Sequence, residues 1–209
     1  HETGIELPSE RVGSIPSTAW KLKVKKEPWL PGETISAAIG QGYVTVTPLQ
    51  MASMIGTVAN DGVSYRPRLV QAIMDRTTGN LQEMPAVARG KAHAKPETFR
   101  IIKEALAAVV TEGTATRAKS ALVTIGGKTG TAQVAALGKE KKAEKDIPKK
   151  FRDHAWFVAF APVDSPKIAV AVLAEHMGHG GSAAAPLAKE VIETYIKLMA
   201  EEPAAAPQS

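Results

Sequence analysis

The stretch Gly126-Gly127-Lys128-Thr129-Gly130-Thr131-Ala132-Gln133 decides how this 209-residue chain is read, because three different local structures can be built on it. A phosphate-cradling loop needs a glycine five positions before its Gly-Lys-Thr, and that position is Leu122. Beyond Lys128 the pattern turns to strand-like alternation, which removes the helix N-terminus that would receive a phosphate. A second reading is a plain strand, with glycines for close packing and a lysine snorkelling at its edge. A third makes Lys128-Thr129-Gly130 part of a binding site, and only the surrounding sequence can decide it.

Downstream, the pattern predicts an antiparallel sheet. One strand is expected over residues 121–125, running through Gly126-Gly127 to residue 134, and others over 155–161 and 167–174. Asp164-Ser165-Pro166 is a tight connection that makes the last two strands antiparallel neighbours. Ile168 to Ala174 lacks polar alternation, so that strand is expected to be buried on both faces, with helices covering both sides of the sheet. Residues 182 to about 201 supply one helix, with Leu187, Val191, Ile192, Tyr195 and Leu198 as its apolar face.

Upstream, Thr47-Pro48-Leu49-Gln50 reads as a capping box opening a helix that carries Met51, Met54, Ile55 and Val58 on one face and stops at Asn60-Asp61-Gly62. A second helix follows Pro96, with Phe99, Ile102, Leu106 and Val109 as its stripe and Gly113 past its end. Residues 65–74 suggest one edge strand because Pro67 cannot donate to a ladder, and residues 77–80 a turn. The first forty residues read as loop and short helix, and the Ala/Pro-rich residues 203–209 as a disordered tail.

Composition excludes several classes. There is no cysteine, so neither disulfides nor thiolate metal sites are available. No apolar run approaches the roughly 18 residues that span a bilayer, and the opening His1-Glu2-Thr3-Gly4 lacks the features of a signal peptide and reads as mid-protein sequence. Of the net charge of +5, residues 139–153 supply +3, with seven Lys/Arg against four Asp/Glu and Phe151 as the lone aromatic, not an interleaved series; that reads as a solvated loop, and no nucleic-acid partner is expected. Glu175-His176-Met177-Gly178-His179 lacks a third ligand of clear origin, so neither a metal nor a cofactor is expected. Gly180-Gly181-Ser182 is placed near the cleft floor without a role.

Five blocks in order give the strand its context: Gly4-Ile5-Glu6-Leu7-Pro8 with Trp29-Leu30-Pro31-Gly32-Glu33-Thr34; Ile39-Gly40-Gln41-Gly42 before Thr47-Pro48-Leu49-Gln50-Met51-Ala52; Val110-Thr111-Glu112-Gly113-Thr114-Ala115; Lys128-Thr129-Gly130; and Asp153-His154-Ala155-Trp156-Phe157 with Ala161-Pro162. Together they resemble the transpeptidase domain of class B penicillin-binding proteins, most closely the elongation type called penicillin-binding protein 2. The Lys-Thr-Gly triplet is one of the motifs shared with serine β-lactamases. The resemblance implies an α/β (α+β) fold, an antiparallel sheet with helices on both faces, of which residues 1–202 are the C-terminal portion.

The resemblance also implies a DD-transpeptidase on the outer face of the bacterial inner membrane. Its partners would be the D-Ala-D-Ala end of a peptidoglycan stem peptide, β-lactams that mimic it, the N-terminal half of the domain, and the cell-elongation machinery. Lys128, Thr129, Gly130, Thr131 and Gln133 would bind substrate along the strand edge, with Lys128 and the Thr131 backbone N–H, an oxyanion donor, serving catalysis. Lys128 and Gly130 alternate with Thr129 and Thr131 across the strand, so the ligand has to approach edge-on. The nucleophile is a departure. No serine here has lysine three residues on, and there is no Ser-x-Asn element. In the family both precede the block at Gly4, so the chain is expected to begin downstream of them and not to acylate alone. Alternatives are a carboxypeptidase or β-lactamase of the same fold, or a noncatalytic binding module.

Overall fold

The computed structural model describes residues 2–134 and 147–201. The expected tail and most of the lysine-rich loop lie outside them. The elements are α1 (Thr18–Lys25), α2 (Pro31–Ala38), α3 (Pro48–Ala59), β1 (Val63–Tyr65), β2 (Ala72–Met74), β3 (Leu81–Glu83), β4 (Ala88–Lys91), α4 (Pro96–Thr111), β5 (Gly126–Ala132), β6 (His154–Ala161), β7 (Ile168–Ala174) and α5 (Ala184–Glu201).

The predicted capping box opens α3. The Thr47 hydroxyl accepts from the Gln50 N–H at 3.2 Å, and the Gln50 side chain accepts from the Thr47 N–H at 2.9 Å, which satisfies two of the donors a helix start leaves free. The block at Trp29 acts in a related way on α2. Glu33 accepts from the Leu30 N–H at 2.6 Å, and the Trp29 ring N–H donates to the Thr34 hydroxyl at 2.9 Å. Glu33 also pairs at 2.6 Å with Lys21 of α1, a lysine only 2% exposed, so a buried charge pair joins α1 to α2.

Strands β5, β6 and β7 form one antiparallel sheet in that order. Side chains of β6 alternate between two cores, as a period of two requires. Ala155, Phe157, Ala159 and Ala161 pack with Ala184, Ala185, Ala188 and Ile192 at α5, while Val158 and Phe160 pack with Ile55 and Ala59 of α3. Helices therefore lie on both faces of the sheet, as expected.

Several expectations need correction. The strand at 121–134 is shorter: residues 121–125 are irregular and pairing begins at Gly126. β7 is half-buried along its whole length, because it is the outer strand of the described sheet; the deeply buried strand is β6, which has a neighbour on each side. The single edge strand at 65–74 is two strands in separate ladders, β1 with β4 and β2 with β3, and Pro67 lies in the break where no ladder donor is needed. Met54 and Ile102 point outward, at 43% and 37% exposure, and the buried face of α4 runs instead from Phe99 to Val110. On α5 the expected face is also displaced: Leu187, Val191 and Leu198 are exposed, and the helix buries Ala184, Ala185, Ala188 and Ile192, whose small side chains let it pack against the sheet. Among the described residues no helix is long and apolar enough to cross a membrane.

Candidate functional site

β5 has β6 on one side and no strand on the other among the described residues. In an antiparallel ladder each residue turns its N–H and C=O to the same side, and successive residues alternate. The carbonyls of Thr129 and Thr131 are taken by side chains: Lys128 Nζ donates to Thr129 O at 2.9 Å, and Gln41 Nε2 donates to Thr131 O at 2.6 Å. Thr129 and Thr131 thus present their N–H and C=O groups to the open edge, while Lys128 and Gly130 bond into the ladder beside Val158 and Trp156.

Side chains follow the other alternation. Lys128 is exposed and shares a face with its cross-strand partner Val158, on the α3 side of the sheet. Thr129 lies on the α5 side, where its hydroxyl is 2.9 Å from that of Thr114, just beyond the C-terminus of α4. The block at Val110 thereby meets the Lys-Thr-Gly strand. α4 closes with the Gly113 N–H donating to Ala108 O at 3.0 Å, and a Cβ at Gly113 would fall 2.7 Å from Val109 Cα. Only glycine lets the chain turn that tightly toward β5.

The glycine-rich loop before α5 lies against the same part of β5. A Cβ on Gly180 would fall 2.1 Å from Trp156 O and 2.7 Å from Gly130 O, and one on Gly181 would fall 2.1 Å from Thr114 O. The loop thus rests on the ladder backbone with no room for a side chain, and it links Gly130, Trp156 and Thr114 in one packed unit. Arg117 adds a hydrogen bond from its guanidinium to Ser182 O at 2.8 Å. Gly130 faces its partner strand closely, with its would-be Cβ 3.2 Å from Trp156 Cβ.

The predicted site residues Lys128, Thr129, Gly130 and Thr131 therefore share one strand edge, and Gln133 is exposed immediately past its end. The histidines of the 175–179 segment are used elsewhere. The His176 backbone N–H donates to His154 Nδ1 at 2.9 Å, and His176 Nδ1 lies 3.0 Å from Arg152 O, so His176 fastens the loop to the start of β6. Among the described residues no group of three or more His, Cys, Asp or Glu is placed to hold a metal ion. Sequence reading missed the contacts of Thr114 and Gln41, although both residues stood in blocks that it singled out.

A sheet covered by helices on both faces, with a Lys-Thr-Gly strand at an open edge, defines the class of fold shared by serine penicillin-recognising enzymes. The chain belongs to the family described as penicillin binding protein transpeptidase domain, whose model matches residues 1–193. It is 39% identical over 204 residues to the peptidoglycan D,D-transpeptidase MrdA of Haemophilus influenzae, covering 93% of this chain and 30% of that protein. It is similar to penicillin-binding protein 2 of Helicobacter pylori in its complex with MreC, with a TM-score of 0.76 and 30% identity over 95% of this chain and 34% of that one. It is also similar to penicillin-binding protein A of M. tuberculosis in its penicillin G acyl-enzyme complex, with a TM-score of 0.61 and 32% identity over 77% of this chain and 34% of that one. The chain spans about a third of the length of each of these proteins.

Proposed function

We propose that residues 1–202 are the C-terminal portion of a peptidoglycan DD-transpeptidase domain and supply one wall of its acylation site. The observation that carries this reading is the open edge of β5, where Thr131 turns its N–H outward beside the exposed Lys128. A stem peptide lies along that edge as an added strand, which main-chain pairing makes affine and the side chains make specific. Lys128 and the Thr129 and Thr131 hydroxyls hold its terminal carboxylate through charge-assisted bonds, with Gln133 at the end of the groove. Gly130 keeps the edge free of a side chain where the ligand backbone approaches.

In the reaction, the hydroxyl of a Ser-x-x-Lys serine contributed by sequence outside these residues attacks the carbonyl between the two D-alanines. Its proton passes to the lysine of that motif, and the Thr131 N–H stabilises the charge on the carbonyl oxygen. The C–N bond then breaks and the terminal D-alanine leaves with a proton on its amine. A second stem peptide's amine attacks the ester carbonyl, the C–O bond to the serine breaks as the cross-link amide forms, and a proton from that amine passes to the serine oxygen. The family and the named relatives support a place on the outer face of the cytoplasmic membrane within the cell-elongation machinery, and β-lactams as suicide analogues of the substrate.

The test is turnover by the full-length polypeptide that contains these residues, given a pentapeptide ending in D-Ala-D-Ala and an amine acceptor. The expected result is D-alanine release coupled to a new amide. Release without amide formation would make the enzyme a carboxypeptidase, and no release would leave a module that only binds.

A further inference from the structure

Gln41 and Thr131 are ninety positions apart in sequence, yet the Gln41 carboxamide donates to the Thr131 carbonyl at 2.6 Å. That carbonyl faces the open edge of β5, so it is the acceptor that an added strand must use. The contact follows from how the loop after α2 is built. Gly40 and Gly42 have φ of +75° and +70°, a left-handed conformation that glycine adopts without steric cost, and the Gln41 N–H between them donates to Ser36 O at 2.9 Å. The backbone of Gln41 is fixed on both sides, and only its side chain is free to leave the edge.

An exposed strand edge has unpaired donors and acceptors that invite any extended chain to bind. Gln41 covers one such acceptor in the unliganded protein. A ligand that brings its own N–H to Thr131 O replaces the lost hydrogen bond with an equivalent one. A ligand that covers the carbonyl without an N–H leaves a buried acceptor unsatisfied, which is costly.

We infer that Gln41 is a specificity-determining residue that occupies the substrate's place on the strand edge and must be displaced by any ligand that reaches the Thr131 carbonyl, so that it sets how fast such ligands react relative to those that stop short of it. This rests on the strand-edge reading of the proposed function. The residue does not touch the reacting atoms; it sets which acyl donors seat well and how readily they displace it.

The experiment compares acylation of the full-length protein by two probes: benzylpenicillin, whose acylamino group offers the N–H, and a penam with no side chain at that carbon. For the ligand that must displace the carboxamide, Gln41→Ala raises the second-order acylation rate by about threefold to tenfold, the worth of one net hydrogen bond. The rate with the side-chain-less penam stays within about twofold, since that ligand does not reach the Thr131 carbonyl. Gln41→Met keeps the approximate length of the side chain but cannot donate, so it behaves like the alanine variant and separates this role from loss of packing. Equal changes with both penams, or a slower reaction with benzylpenicillin, would overturn the inference while leaving the function standing. No acylation of the wild-type protein by either penam would overturn the proposed function, and the inference with it.

Discussion

Gly180→Ala tests how the glycine-rich loop sets the position of β5. The added Cβ would fall 2.1 Å from Trp156 O and 2.7 Å from Gly130 O, where contacts closer than 3.0 Å essentially do not occur. Both oxygens belong to backbone in the middle of a hydrogen-bonded ladder, so neither can rotate away. Either the loop lifts by about an ångström or the ladder bends, and overpacking of this kind costs about 1–3 kcal/mol. That lowers the melting temperature by roughly 2–4 °C per kcal/mol for a cooperative unit of about 200 residues, and by less for a larger one. A shift of about an ångström at Gly130 carries Thr131 with it, and misplacement on that scale is worth up to about a hundredfold in rate. Gly79→Ala is the control. Gly79 has a positive φ, unlike Gly180, and nothing lies within 4 Å of its would-be Cβ, so it reports backbone strain with no clash, about 1–2 kcal/mol. The assays are thermal melting and β-lactam acylation of the full-length protein. Gly180→Ala with wild-type stability and wild-type rate, or a rate no lower than that of Gly79→Ala, would refute the reasoning.

Lys128→Ala is expected to slow β-lactam acylation by about a hundredfold or more, the scale of losing a group that stabilises developing charge; the check is stopped-flow or gel-based labelling. Thr114→Val removes the hydroxyl 2.9 Å from that of Thr129 and should weaken binding of carboxylate-bearing penams, with Thr114→Ser restoring it; a penam ester should be insensitive to either change. Acid should loosen the joint between α1 and α2. The Leu30 N–H first, and then Lys21, hold the Glu33 carboxyl below the usual range, so its stabilisation is complete above the unfolded value of about 4.3 and is lost as pH falls through the lower folded value. Glu33, for its part, raises the Lys21 ammonium above its usual range, so loss on that side begins only above about pH 10.4. The stability gap between wild type and Glu33→Gln should therefore narrow below about pH 4, as measured by urea unfolding across pH.

The large elements were legible because each has a local signal. Thr47-Pro48-Leu49-Gln50 announces α3, Asp164-Ser165-Pro166 dictates the antiparallel pairing of β6 and β7, and the spacing of apolar residues gives α4 and α5 as helices, though not the face that α5 buries, which is made mostly of alanines. β1 to β4 were not legible as four strands. With three or four residues each they complete barely one cycle of alternation, and Pro67 made two short strands look like one. Lys21 shows another limit: a lysine in a polar helix gives no sign of burial, which the approach of Glu33 from α2, with Glu27 farther off at 3.7 Å, makes tolerable. At the site, Lys128 to Thr131 could be read directly because they are contiguous. Gln41 and Thr114 reach the same strand through tertiary packing, and no spacing rule connects positions ninety or fifteen residues apart.

The central claim is that this chain forms the Lys128 wall of a serine acylation site. Intact mass spectrometry of the full-length polypeptide before and after incubation with benzylpenicillin tests it most directly. The account predicts a covalent penicilloyl adduct, mapped by peptide digestion to a Ser-x-x-Lys serine outside these 209 residues and greatly slowed by Lys128→Ala. An adduct on a serine within them, or one that forms at the wild-type rate without Lys128, would contradict it.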